Sequence, residues 1–197
     1  TRDMVKMADD LMLLSSGPVA GIGEVERPAV EEGSSIMPGK VNPSILEAFK
    51  MSCLQVQGNA SVVRHAAEEG DLELNVHTPV ITYNLLDALQ LLANAVAMLR
   101  ERCIEDIDAD DDRITELFEG STATATALSP YLGYDRTADA VHTAVEEGRP
   151  VREVVEEQGW MTEEELDAVL DPERLTAPHG VDEDIQEAVQ ERLENDG

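Results

Sequence analysis

Residues 44–63 carry two charges, Glu47 and Lys50, and residues 79–98 carry one, Asp87, in a chain that is 28% charged. Two such runs cannot both lie open to water. Each is long enough for a helix of five turns or more, and each must be buried on most sides. Twenty nearly uncharged residues also meet the length for a membrane span. Asn84, Asp87, Gln90 and Asn94 argue otherwise, because they form a narrow polar stripe on an apolar helix, which suits the interior of a bundle. The two helices bring more apolar surface than 197 residues can easily cover, so the pattern predicts oligomerisation.

The remainder of the chain is helical in texture. Residues 1–16 read as the end of a helix, with Met4, Met7, Leu11 and Leu14 apolar and Gly17-Pro18 as the stop. Residues 17–42 form a loop rich in Gly, Pro and Ser, and a loop that long is usually functional or disordered. Asn42 followed by Pro43 predicts a helix start, with Asn42 as N-cap. Gly58 suggests a close helix–helix approach. Residues 68–73 are acidic and turn-like. After about Leu128 the helices become short, acidic and amphipathic, at 135–147, 150–158 and 162–170, where Thr162 and Glu165 have capping-box spacing. A last helix over 182–194 is polar apart from Ile185, Ala188, Val189 and Leu193. The class is therefore all-α: a long-helix bundle over 1–127, followed by a small helical domain over 128–197 that ends in an acidic tail. The opening Thr-Arg-Asp already lies in helical patterning, so a fragment lacking an N-terminal part is expected.

The formal net charge is −28. A surface that negative excludes nucleic acid and anionic membranes as natural partners. The spread of the acidity suggests adaptation to high salt, where the Debye length falls to about 3 Å at 1 M and self-repulsion is screened. The melting temperature is then expected to rise between low and molar salt. Cys53 and Cys103 lie in mostly apolar helical contexts without metal-ligand spacing. They read as packed thiols of a reducing, cytoplasmic compartment, and no signal peptide is visible. His65, His77, His142 and His179 show no metal spacing either.

The stretch GSSIMPGKVNP, residues 33–43, holds one charge, Lys40, in a chain with three lysines. It is not a phosphate loop: one residue too many separates Gly33 from Gly39-Lys40, and Val41 stands where the metal-binding hydroxyl belongs. Gly33 and Gly39 permit close ligand approach, Ser34 and Ser35 offer hydroxyls, and Asn42 offers an amide at a helix start. Cation, amide and helix N-terminus together suit a carboxylate or phosphate. On chemistry alone, a solvated lysine, a capping asparagine and linker serines account for the same residues.

The same stretch resembles the signature of the fumarase/aspartase superfamily, G-S-S-x-M-P-x-K-x-N, at every fixed position. The resemblance continues in LLSSGPVAGIGEV, GNASVV, ELNVHTPV and LSPYLGYDRTADA, and in PVREVVEEQGWMTEEELDAVLDPERL near the C-terminus. Gly133-Tyr134-Asp135 is more similar to class II fumarate hydratase than to aspartate ammonia-lyase. Met12 and Val19 stand where the family often has arginines. The resemblance implies reversible addition of water to fumarate, giving (S)-malate in the tricarboxylic acid cycle. It implies a homotetramer with composite active sites, no cofactor and no metal. It assigns Ser34 as the base, Lys40 and Asn42 as grips on the substrate carboxylate, and Glu47 as the group orienting a histidine from elsewhere. That histidine belongs to a segment absent here, so this chain alone is expected to be inactive. Aspartate ammonia-lyase or another lyase of the family shares the loop. A non-catalytic helical oligomerisation module is the reading of another class.

Overall fold

The computed structural model describes residues 1–17, 19–30, 36–37 and 39–195. The fold is all-α. Helices α1 (Arg2–Leu14), α2 (Ser44–Glu68) and α3 (Thr78–Arg102) precede α4 (Asp111–Glu119), α5 (Ala125–Leu132), α6 (Tyr134–Glu147) and α7 (Val151–Glu157). Then come α8 (Glu163–Val169), α9 (Pro172–Leu175) and α10 (Glu183–Asn195). Two strands of two residues each, β1 (Val25–Glu26) and β2 (Asp108–Ala109), pair antiparallel with Val25 opposite Ala109 and Glu26 opposite Asp108.

The chain forms two compact units, Thr1–Asp111 and Asp112–Gly197. The division precedes the texture change after Leu128. The reason lies in packing: Ala125 and Leu128 are both buried in the core of the second unit.

In the first unit α2 and α3 run as a long hairpin, with α1 packed beside α2. Leu46, Phe49 and Cys53 of α2 meet Ala8 of α1 and Ala95 of α3 in one core, and Met12 packs against it. Burial pushes the thiols of Cys53 and Cys103 above the ordinary cysteine range. Part of the expected polar stripe is bonded across the hairpin. Buried Asn59 accepts from Gln55 at 2.9 Å and donates to Asp87 Oδ2 at 2.8 Å. Asn84 donates to the Val80 carbonyl at 2.8 Å and Gln90 to Asn94 at 3.0 Å. By length and hydropathy alone Thr78–Asp106 could cross a membrane. Its polar groups are instead spent along and across the hairpin.

Two expectations change. The charge-poor runs are not buried on most sides within this chain: Met51, Leu54, Tyr83, Leu86 and Leu89 are each more than half exposed. Gly58 is exposed, and a Cβ added there would touch nothing within 4 Å, so it marks no close approach in this chain.

The second unit closes around Leu128, Val155, Leu166 and Val189, all fully buried. Gly133, at φ 78°, makes the corner between α5 and α6, a left-handed angle that favours glycine. The capping box at α8 is formed: Glu165 N–H donates to Thr162 Oγ1 and Thr162 N–H to Glu165 Oε2. Helix α10 is docked rather than trailing. Val189 and Leu193 are buried, Gln186 and Gln190 donate to the carbonyls of Pro130 and Tyr131, and Arg192 bonds both Glu165 oxygens.

Candidate functional site

The signature loop joins β1 to α2. Ser34, the sequence-derived base, lies outside the described residues, as do Gly33, Ser35 and Pro38. The described part begins with a turn in which Lys40 N–H donates to the Met37 carbonyl at 3.2 Å. Gly39 makes that turn at φ 81°, where a side chain would be strained.

Lys40 is exposed, Asn42 half-buried, and Glu47 exposed on the first turn of α2. The structure thus gathers three of the four residues expected to form a site at the N-terminal end of one helix. That end carries the positive pole of the helix dipole. Lys6 is paired with Asp10 and Lys50 with Asp9, whereas Lys40 has no ion pair or side-chain hydrogen bond among the described residues. In a chain of net charge −28, an ammonium beside a helix N-terminus is a local concentration of positive potential.

The cap at this helix differs from expectation. Asn42 is not the N-cap; Pro43 is, with ψ 49°, and the first helical bond runs from Glu47 N–H to the Pro43 carbonyl at 3.0 Å. Pro43 itself provides no side-chain cap bond. The Asn42 side chain makes no cap bond to this helix among the described residues.

One residue was not singled out by the sequence reading. Arg27, directly after β1, donates through Nη1 to the Asn42 carbonyl at 3.1 Å, through Nη2 to the Val41 carbonyl at 3.0 Å, and through Nε to Ser15 Oγ at 3.2 Å. Ser15 in turn donates to the Leu11 carbonyl at 2.6 Å at the end of α1. The neighbouring Ser16 hydroxyl accepts from Ile22 N–H at 3.1 Å. The chain returns so closely here that a Cβ on Gly21 would lie 2.3 Å from the Ser16 carbonyl oxygen, so only glycine fits. Val19, where the resemblance leads one to expect an arginine, is 96% exposed.

Residues 1–58 match the family model described as Lyase, and residues 125–177 match that described as Fumarase C C-terminus. A protein named fumarate hydratase class II 2 from Bradyrhizobium diazoefficiens is 43% identical over 175 residues. That alignment covers 89% of this chain and 37% of the relative. An aspartate ammonia-lyase from Pseudomonas canavaninivorans is 47% identical over 173 residues, covering 88% of this chain and 36% of the relative. The chain belongs to the fumarase/aspartase superfamily. A solved superfamily structure, the fumarate lyase:delta crystallin of Brucella melitensis, superimposes with a TM-score of 0.85 at 45% identity. It covers 90% of this chain and 38% of the solved one. This superfamily chain therefore spans little more than a third of the length of the relatives it matches.

Proposed function

We propose that the chain is the C-terminal portion of a lyase acting on a small dicarboxylate, and that the reaction is the reversible hydration of fumarate to (S)-malate. The observation that carries this reading is Lys40 beside Asn42 at the start of α2, with no ion pair to Lys40 among the described residues, within a complete superfamily signature. In the malate direction a base withdraws the proton from the carbon next to one carboxylate. The electron pair moves into that carboxylate, giving an aci form with added negative charge. Collapse of the aci form expels the hydroxyl group, which leaves as water once protonated. A cation and an amide at a helix N-terminus stabilise that added charge more than they stabilise the ground state. Ser34 is the proposed base. A serine hydroxyl is too weak a base unless the electropositive setting lowers its pKa. Glu47, exposed and one turn along α2, is proposed to orient a histidine from another segment.

The uncovered apolar faces of α2 and α3 support assembly with other subunits, which the proposal takes to be a cytoplasmic homotetramer. On this proposal, each site is completed by other subunits and by sequence beyond this chain. Aspartate deamination is the second reading, favoured by the 47% identity to an aspartate ammonia-lyase. The test is to express the longer protein and follow fumarate absorbance with malate and, separately, with aspartate. Fumarate formed from malate supports the hydratase. Fumarate formed only from aspartate assigns the ammonia-lyase, and turnover of neither would sink the proposal.

A further inference from the structure

We infer that Arg27 is a positioning residue for the anion-binding segment, fixing the backbone from which Lys40 and Asn42 reach a substrate. The backbone before α2 has an accounting problem. The α2 ladder begins at the Pro43 carbonyl, so the carbonyls of Val41 and Asn42 precede the helix and receive no bond from it. Pro43 has no N–H, and its ψ of 49° turns the chain out of the helical path. Both carbonyls therefore depend on a donor from elsewhere, and Arg27 supplies it to each, at 3.0 and 3.1 Å.

The other side of the same guanidinium is anchored. Its Nε donates to Ser15 Oγ, which is itself fixed on the Leu11 carbonyl. The planar fork thus spans from the end of α1 to the last two residues of the signature. A lysine offers one point of attachment and cannot span three acceptors in that arrangement. Orienting the peptide planes of Val41 and Asn42 sets where the Asn42 amide and the Lys40 ammonium start. Displacement of about 1 Å at such a group costs on the order of a hundredfold in rate.

The catalytic consequence rests on the dicarboxylate reading; the clamp itself rests on the hydrogen bonds. Two measurements separate them. In the 197-residue chain, amide hydrogen exchange is compared between wild type, Arg27→Leu and Arg27→Lys, well below unfolding. Exchange at the Lys40 amide should rise by about tenfold or more in both variants, the loss of a charge-assisted bond, while Cys53 and Ala95 in the core stay protected. Unchanged exchange at Lys40, or a uniform rise through the core, overturns the clamp. In the longer protein, kcat/KM for the dicarboxylate should fall by about tenfold or more, with kcat lowered as well as KM raised, and Arg27→Lys should recover little of it. An unaltered kcat/KM with only a lower melting temperature would make Arg27 mere packing and overturn the inference. A longer protein with no turnover refutes the lyase reading, and the exchange data still decide the clamp.

Discussion

Ser34→Ala in the longer protein is expected to lower turnover of malate by about a thousandfold while the subunits still assemble. A positioned general base contributes roughly 10²–10⁴ in rate, and alanine leaves no oxygen to accept the proton. Lys40→Ala should behave differently. Lys40 is not a proton carrier in this proposal, and its ammonium stabilises charge that grows from substrate to aci intermediate. Removing one such group costs on the order of 10²–10³ in kcat, and because the substrate carboxylate is held by the same group, KM should rise as well. Steady-state kinetics with sedimentation of each variant distinguishes the two patterns. Near-normal kinetics in both variants, with an intact oligomer, would remove the assignment of this loop as the active site.

The sequence was most informative where one physical effect dominated. Nearly charge-free runs of twenty residues leave few options, and the α2–α3 hairpin follows from them. The Asn59–Asp87 bond shows why a polar stripe can survive on such helices: the groups satisfy one another across the hairpin. The capping box at Thr162 was legible because both of its bonds are local. The Asn42 cap failed for the opposite reason. Its local signal was good, but the guanidinium of Arg27, fifteen residues away in sequence, takes the carbonyls around it. Arg27 itself was illegible, since a single arginine in an aperiodic loop looks like any solvated one. The exposed sides of α2 and α3 mark the reverse limit: residue type tells that a surface should be covered, and only a second body can cover it.

Val189→Asp is expected to unfold most of the C-terminal unit, because α10 is part of its core. Val189 is fully buried between the helices, and α10 repeats apolar residues at Ile185, Val189 and Leu193 along one face. An uncompensated charge there costs about 3–5 kcal/mol, against a total of roughly 5–15 kcal/mol for a typical domain. The single tryptophan, Trp160, packs against this core, so its fluorescence reports on this unit. A Trp160 transition unmoved by Val189→Asp would show that α10 is dispensable. A gentler variant reads the same docking through pH. The hydrogen bonds from Arg192 hold the Glu165 carboxyl below its ordinary range, overcoming the opposing effect of burial, and the Thr162 bonds add to this. The contribution of Glu165 is therefore full above the unfolded glutamate value of about 4.3. It is lost as pH falls through the lower folded value. Lowering the pH also reduces the net charge of −28 and with it the self-repulsion of the whole chain. The informative quantity is thus the difference between wild type and Glu165→Gln. Wild type should be the more stable at pH 7, and the gap should close as the pH is lowered from about 5 towards 3. A gap that stays constant with pH would mean that Glu165 stabilises α8 as a cap and that the Arg192 pair adds nothing.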